Sequence, residues 1–344
     1  MYSFRNDYSE GAHPQVLQAL IDTNLEQTCG YGLDHHCQEA ADLIRELCAA
    51  PNADVHFLVG GTQTNLVTIT SFLKSFECVI ATHASHINTH ETGAIEATGH
   101  KVCSVFSPDG KLTPALVESV VKEHSASNVE HMVFPRLVYI SDTTEIGSLY
   151  TKAELTALRE CCDKYGLYLF VDGARLASAL VSPENDLTLA DLARLTDVFY
   201  IGGTKNGLLF GEAVVMTVPN PHFRWHIKQR GAMLAKGRLL GVQFQTLMED
   251  GLFFENARHA NDLAFRLRDG IAALGYSFSI ESPSNQQFPI FPNDVVQKLW
   301  DLGYEFETGF VPVEEGHTSV RLIASWATPE SAIDAFLKDL AACK

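Results

Sequence analysis

No uninterrupted apolar run in this 344-residue chain approaches the roughly 18 residues that a membrane-spanning helix needs. Its start, Met1 to Asp7, lacks the apolar core of a secretory signal. Cations are scarce, since 25 Lys and Arg stand against 42 Asp and Glu, for a net charge of −17. Non-specific binding to nucleic acid or to anionic membrane needs a cationic surface, so the balance argues against both partners while leaving room for a local basic pocket. The eight cysteines form no CxxC pair and no framework spacing, which points to reduced thiols in a cytoplasmic protein. Internal repeats and low-complexity tracts are missing too. What is present is a globular composition, 46% hydrophobic and 19% charged, in a chain long enough for about two domains.

Periodicity supplies the organisation. After a short polar arm, Pro14 stands where a helix would begin, and Val16, Leu17, Leu20, Ile21 and Leu25 recur at helical spacing. A second helical stretch covers about 34–49. From there, strand-like runs at 54–59, 77–81, 101–106, 131–140, 167–171 and 197–201 alternate with helical patterns. Those helices are expected at 65–73, 87–97, 113–123 and 151–165, the last opened by the capping box Thr151-Lys152-Ala153-Glu154. Such alternation is the signature of an α/β fold, a mostly parallel sheet flanked by helices. The pattern changes after about residue 235. A long helix at 239–267 leads into strands at 276–280, 287–291 and 319–323, with helices at 294–302 and 329–340. The expected division is therefore 1–235, the arm and a large domain, and 236–344, a linking helix and a smaller α+β domain.

Four stretches could carry chemistry. Asp172 follows the apolar run Leu169-Phe170-Val171 and precedes Gly173-Ala174-Arg175. A carboxylate at the end of a buried parallel strand faces the crevice where α/β proteins bind ligands, although a strand-ending turn with a surface ion pair would read the same way. Lys205 also follows a strand-like run and lies between glycines, in Gly202-Gly203-Thr204-Lys205-Asn206-Gly207. Desolvation there would lower its ammonium pKa and make the amine a nucleophile for carbonyls. Gly60-Gly61-Thr62 joins a strand to a helix, so its backbone N–H groups and hydroxyl could hold a phosphate. It is neither a dinucleotide fingerprint nor a P-loop. His83, His86 and His90 have spacings that would place three imidazoles on one helical face, as metal ligands could be. No clear fourth ligand accompanies them, and Asp34-His35-His36 reads as a helix start, so no metal is assigned.

Together these residues resemble the pyridoxal-phosphate enzymes of the aspartate-aminotransferase fold. Within them the chain is most similar to the threonine aldolase and β-eliminating lyase family. The resemblance runs from Phe4-Arg5-Asn6-Asp7 to Val320-Arg321-Leu322 and rests above all on Asp172-Gly173-Ala174-Arg175, then on Ala84-Ser85-His86-Ile87, Tyr31-Gly32-Leu33-Asp34 and the Gly-Thr turn. It implies a seven-stranded, mostly parallel sheet in the large, cofactor-binding domain, with pyridoxal 5'-phosphate as cofactor. Lys205 would hold the cofactor covalently through its amine, and Asp172 would pair with the pyridine nitrogen. Gly60, Gly61 and Thr62 would bind the phosphate. His86 would stack on the ring and assist proton transfer at the substrate hydroxyl. Arg175, placed among the cofactor contacts as well, would join Arg321 in holding the substrate carboxylate, with Asn6 and Tyr31 also on the substrate side. Tyr31 would lie near the active site of another subunit, implying a homodimer or homotetramer.

Departures from the family pattern fall on the substrate side. Asn6-Asp7-Tyr8 stands where Ser-Asp-Thr is common, and Asp142-Thr143-Thr144-Glu145 where Asn-Thr-His-Asn is common, which puts Thr144 in place of a histidine. Thr204 precedes the lysine where serine is usual, and Asn206 follows it. The expected activity is cleavage of the Cα–Cβ bond of a β-hydroxy-α-amino acid, such as L-threonine or L-allo-threonine, to glycine and an aldehyde. Two alternatives stand beside it: β-elimination from a substituted alanine, giving pyruvate and ammonia, and a non-catalytic α/β protein that binds a phosphorylated ligand.

Overall fold

The computed structural model describes residues 2–125, 129–309 and 311–344. Seven strands form the larger sheet: β1 (Asp54–Leu58), β2 (Glu77–Thr82), β3 (Val102–Val105), β4 (Phe134–Ser141), β5 (Tyr168–Asp172), β6 (Val198–Gly202) and β7 (Glu212–Met216). Their order is β1-β7-β6-β5-β4-β2-β3. The pairs from β3 through to β6 are parallel, while β7 runs antiparallel to both β1 and β6. Consecutive residues of a strand point to opposite faces, and both faces are covered. Val138, Ile140, Leu169 and Val171 enter one apolar core. Leu137, Tyr139, Phe170 and Tyr200 enter the core on the other side. This two-sided burial is why the strands read as continuous apolar runs rather than as alternating ones.

The smaller sheet has β8 (Phe278–Ile280), β9 (Gln286–Pro292), β10 (Glu307–Thr308) and β11 (His317–Ile323), in the antiparallel order β10-β11-β9-β8. Its core gathers Phe291, Leu299, Leu322 and Phe336. Phe4 of the N-terminal arm is buried in the same core, with its N–H donating to Glu305 O at 2.8 Å. The helix Leu252–Ala273 joins the two cores, contributing Leu252, Phe253 and Ala257 to one and Leu263, Ala264 and Leu267 to the other.

Most expected elements appear within a few residues, and the Thr151 capping box forms with both of its reciprocal hydrogen bonds. Two expectations are corrected and one strand is added. The helix expected at 87–97 is a single turn, His86–Thr89, followed by Thr92 and Gly93 at positive φ and a short 3₁₀ turn at Glu96–Thr98. The long helix expected at 239–267 is two helices, Arg238–Met248 and Leu252–Ala273. Asp250 (φ 52°) and Gly251 (φ 80°) break it, because left-handed backbone cannot continue a right-handed helix. Strand β7 was not anticipated; Glu212 at its start obscures a run that is apolar only from Ala213 onwards.

Candidate active site

The carboxyl ends of β4, β5 and β6 converge on Asp172, the last residue of β5, which is 4% exposed. Its Oδ1 accepts from the Ala174 N–H at 3.0 Å and from the Tyr200 hydroxyl, and its Oδ2 accepts from the Tyr139 hydroxyl at 2.5 Å and from Asn65 Nδ2 at 3.0 Å. Burial alone would raise this carboxyl, but the charge of His86 and the donors from Tyr139, Tyr200 and Ala174 outweigh it. Asp172 is held below the usual carboxylate range. Tyr139 and Tyr200 are pushed well above theirs by burial, so both remain donors. The turn after β5 requires glycine. A Cβ on Gly173 would lie 1.8 Å from the Tyr200 carbonyl oxygen.

Gly60 caps the helix Gly61–Phe72 with no side-chain hydrogen bond. The first N–H groups of a helix have no intrahelical acceptor, so Gly61 and Thr62 offer bare donors. A Cβ on Gly61 would come within 3.2 Å of the Tyr200 hydroxyl, and one on Gly60 would meet open space. The uncapped helix end therefore opens beside the Asp172 cluster.

His86 starts its one-turn helix and is held at both ends. Its N–H donates to Glu145 Oε1 at 2.8 Å, and its Nδ1 lies 2.8 Å from Glu91 Oε1. Glu91 also accepts from Asn65 Nδ2 at 2.8 Å, so the chain His86–Glu91–Asn65–Asp172 is hydrogen-bonded throughout. Burial raises the carboxyls of Glu91 and Glu145. The three histidines expected on one helical face are not gathered. His83 lies before the helix, where its Nδ1 accepts from the Ser107 N–H, so helical spacing does not apply to it.

Lys205 lies in the turn between β6 and β7. Burial and the charge of Arg175 hold its ammonium below the usual lysine range, against Asp7, Asp172 and Glu212. Glu212 has moved the other way. Burial pushes it up to about 8, although its carboxylate accepts from the Thr204 hydroxyl (2.8 Å) and the Gly203 N–H (3.1 Å), the residues just before the lysine. Arg175 lines a small cavity with Lys205, Asp7 and Asn285. Its Nε and one Nη donate to the two oxygens of Asp7, at 2.8 and 3.0 Å. Arg321 donates to Glu307, and the nearby charge of Arg175 adds to burial in lowering its pKa. Each arginine is thus braced by a carboxylate, and the two cations lie close enough to repel.

Two expected residues are not drawn into this cluster. Asn6 Oδ1 accepts from the Tyr8 N–H and the Ser9 hydroxyl, both at 2.9 Å, and so closes a local turn. Tyr31 is 47% exposed, and its partners are Arg224 and Lys228 of the helix Phe223–Gln229. Conversely, the sequence did not single out Asn65, Tyr139, Tyr200 or Glu212. A tyrosine inside an otherwise apolar run, Leu137–Ile140 and Val198–Ile201, was the available signal for two of them, since a buried hydroxyl needs a partner.

The arrangement offers donors for an anion at a helix start, an ionised buried carboxylate, a desolvated amine and two converging guanidinium groups. The sequence model of the β-eliminating lyase family matches residues 4–291. A low specificity L-threonine aldolase of Pseudomonas sp. is 32% identical, over 98% of this chain and 97% of the relative. A solved structure of Leishmania major threonine aldolase superposes with a TM-score of 0.95 at 52% identity, covering 99% of this chain and 98% of that one. Thermus thermophilus aspartate aminotransferase shares the fold, with a TM-score of 0.71 at 16% identity over 99% of this chain and 91% of that one.

Proposed function

The chain belongs to the β-eliminating lyase family, and from that premise we propose that it is a pyridoxal-phosphate-dependent aldehyde-lyase. It cleaves the Cα–Cβ bond of L-threonine-type β-hydroxy-α-amino acids to glycine and an aldehyde. The observation that carries the substrate assignment is similarity to threonine aldolases along almost the whole chain, 52% identical in the Leishmania major case.

The residues present fit the cofactor. An uncapped helix start with bare N–H groups suits its phosphate, and Asp172, ionised though buried, suits a protonated pyridine nitrogen. Asn65 Oδ1, Glu91 Oε2 and Ser85 Oγ are buried nearby without partners, as polar atoms around a ligand cleft would be. When bound, the cofactor draws electrons from the substrate Cα so that one of its bonds can break.

The chain's own residues do the rest. Gly60, Gly61 and Thr62 would hold the phosphate, and Asp172 would keep the ring nitrogen protonated. Lys205, its ammonium disfavoured by burial, is the amine that would face the cofactor carbonyl, while Glu212 fixes the turn through Thr204 and Gly203. Arg175 and Arg321 clamp the substrate carboxylate, and that orientation selects which Cα bond is broken. Glu91 holds His86 Nδ1, which leaves Nε2 to exchange a proton with the β-hydroxyl. Glu145, beside Thr144 and bonded to the His86 backbone, adds a carboxyl whose pKa burial raises.

The division near residue 235 belongs to the same reading, supported by the separate sheets and cores. So does a homodimer or homotetramer. Leu17 and Ile21, four residues apart on the first helix, are exposed, as are Leu25, Tyr31 and Trp225, and a second copy would cover them. Tyr31 would then serve the partner's cleft. A cytoplasmic location accords with eight free cysteines, and no helix among the described residues is long and apolar enough to cross a membrane.

Protein loaded with pyridoxal phosphate should be yellow, and borohydride should fix the cofactor to Lys205, as mass spectrometry of the peptide would read. Lys205→Ala should be colourless after dialysis and lose at least about 10³-fold in kcat. Given a panel of amino acids, the protein should yield glycine and acetaldehyde from L-threonine. Pyruvate and ammonia from a substituted alanine, with no glycine from threonine, would overturn the aldol reading.

A further inference from the structure

Outside the cleft, the start of the helix His35–Leu47 brings together side chains that the proposed reaction leaves unused. A carboxylate oxygen of Glu26 and a ring nitrogen from each of His35 and His36 lie within 4.8 Å of one another, the one such grouping of three among the described residues. Its hydrogen bonds settle where the protons are. Gln245 Nε2 donates to Glu39 Oε2 at 2.8 Å and to Glu249 Oε1 at 3.2 Å. Carboxylates only accept, so the amide is fixed with Oε1 facing the other way, 3.0 Å from His36 Nδ1. An amide oxygen there requires the Nδ1–H tautomer. A neutral His36 then aims the bare lone pair of Nε2 at Glu26 Oε2, 2.8 Å away. Two acceptors in contact need a cation between them, either a proton or a metal ion. A histidine whose Nδ1–H is held by an outer acceptor is also oriented as metal-ligating histidines are.

We propose that Glu26, His35 and His36 form a zinc-type divalent-cation site, with Gln245 as its outer support, that pins the segment after the first helix to the helices His35–Leu47 and Arg238–Met248. Two imidazoles and a carboxylate suit zinc, copper or nickel rather than magnesium or calcium, which prefer all-oxygen shells. Tetrahedral bonds of roughly 2.0–2.1 Å place ligand atoms about 3.3 Å apart. Rotation of the exposed Glu26 and His35 side chains can close the remaining gap without disturbing the core. The positive pole of the helix, about half a charge, opposes a cation here. Asp34, which caps that helix by accepting from the Cys37 N–H at 2.9 Å, together with Glu26, Glu39 and Glu249, brings several full negative charges against it. The pinned segment includes Tyr31, so an ion would stiffen the loop that carries it.

The test is calorimetric titration of zinc chloride into chelator-stripped, cofactor-loaded full-length protein. We expect one zinc per chain, a rise in melting temperature with zinc, and at least a tenfold loss of affinity in Glu26→Gln and in His35→Ala. Both positions are exposed, so these variants keep the fold. Gln245→Ala should cost about 10–100-fold in affinity. No zinc uptake by the wild type, equal affinity in the Glu26→Gln/His35→Ala double variant, or magnesium binding as tight as zinc would each overturn the proposal.

Discussion

Asp142 is a carboxyl that the fold prefers to keep protonated. It is 3% exposed and its Oδ1 has no partner, and burial pushes its pKa up to about 7 despite a hydrogen bond from the Tyr150 backbone. In an unfolded chain the same group ionises near 3.9. Its stabilising share is therefore complete below about pH 4 and is lost as pH rises through 7, with a ceiling of about 4 kcal/mol. Urea unfolding between pH 4 and 8 should show a slope that Asp142→Asn reduces, the remainder coming from Glu212, whose pKa burial also raises. An unchanged slope in that variant would assign the pH dependence to other groups. Asp7 and Asp172 act with the opposite sign, since their lowered pKa values make their share complete above the ordinary carboxylate range and lost on acidification. The His86–Glu91 contact supplies a second residue-scale expectation. Glu91→Gln should retain the cofactor yet lower kcat by about 10²-fold with a smaller change in KM. Steady-state kinetics beside a cofactor assay separates the two effects, and an unaltered kcat would remove Glu91 from the proton-handling group.

At the scale of elements, the site exists because strand ends meet turns that only glycine can make. The Gly202 N–H donates to the Gly173 carbonyl at 3.0 Å, locking the turn after β5 against the end of β6. That contact sets Asp172 and the Lys205 turn side by side. Gly173→Ala would drive a Cβ into the Tyr200 carbonyl, so one of the two strand ends must move. A loss of about 3 kcal/mol is expected, together with loss of bound cofactor, because Tyr200 and Asp172 move with the backbone. Thermal melting and cofactor absorbance would measure both, and a variant with wild-type melting and colour would contradict the tight crossing. Strand β7 matters for the same reason. Its antiparallel pairing places Glu212 opposite Gly202, directly under the lysine turn.

On the scale of the whole molecule, the net charge of −17 does not prevent three cations, Arg175, Arg321 and Lys205, from being drawn inward, because the site sets them against the carboxylates of Asp7, Glu307, Asp172 and Glu212. The exposed apolar side chains are less readily explained in a single chain. Leu25 is 91% exposed and Ile21 67%, and neither faces any core described here. In the proposed assembly they are covered, so sedimentation should give two or four times the 37.8 kDa chain mass. Ile21→Lys with Leu25→Lys should shift the protein towards monomer. A monomeric wild type at micromolar concentration would refute the assembly and, with it, a role for Tyr31 in a partner's cleft.

Asp172, Lys205 and the Gly60–Thr62 turn were legible in the sequence because each depends on a local pattern, an apolar strand ending at a carboxylate, an amine or a glycine turn. Their family resemblance was legible for the same reason, as motifs in a fixed order. The partners that surround these residues were not. Asn65 reaches Asp172 across 107 positions, and Tyr139 and Tyr200 reach it from neighbouring strands. Asp7 meets Arg175 across 168. Such contacts follow from strand order and register, which periodicity does not encode. The sequence by itself determined the α/β class and marked the residues proposed to carry the chemistry, since hydrophobic period and strand-end residues are local properties. Only the tertiary structure decided the directions in which the pKa values of Asp172, Lys205 and Glu212 shift, the bracing of Arg175 by Asp7, and the separation of His83 from His86, because burial and charge proximity arise only once distant segments are packed together.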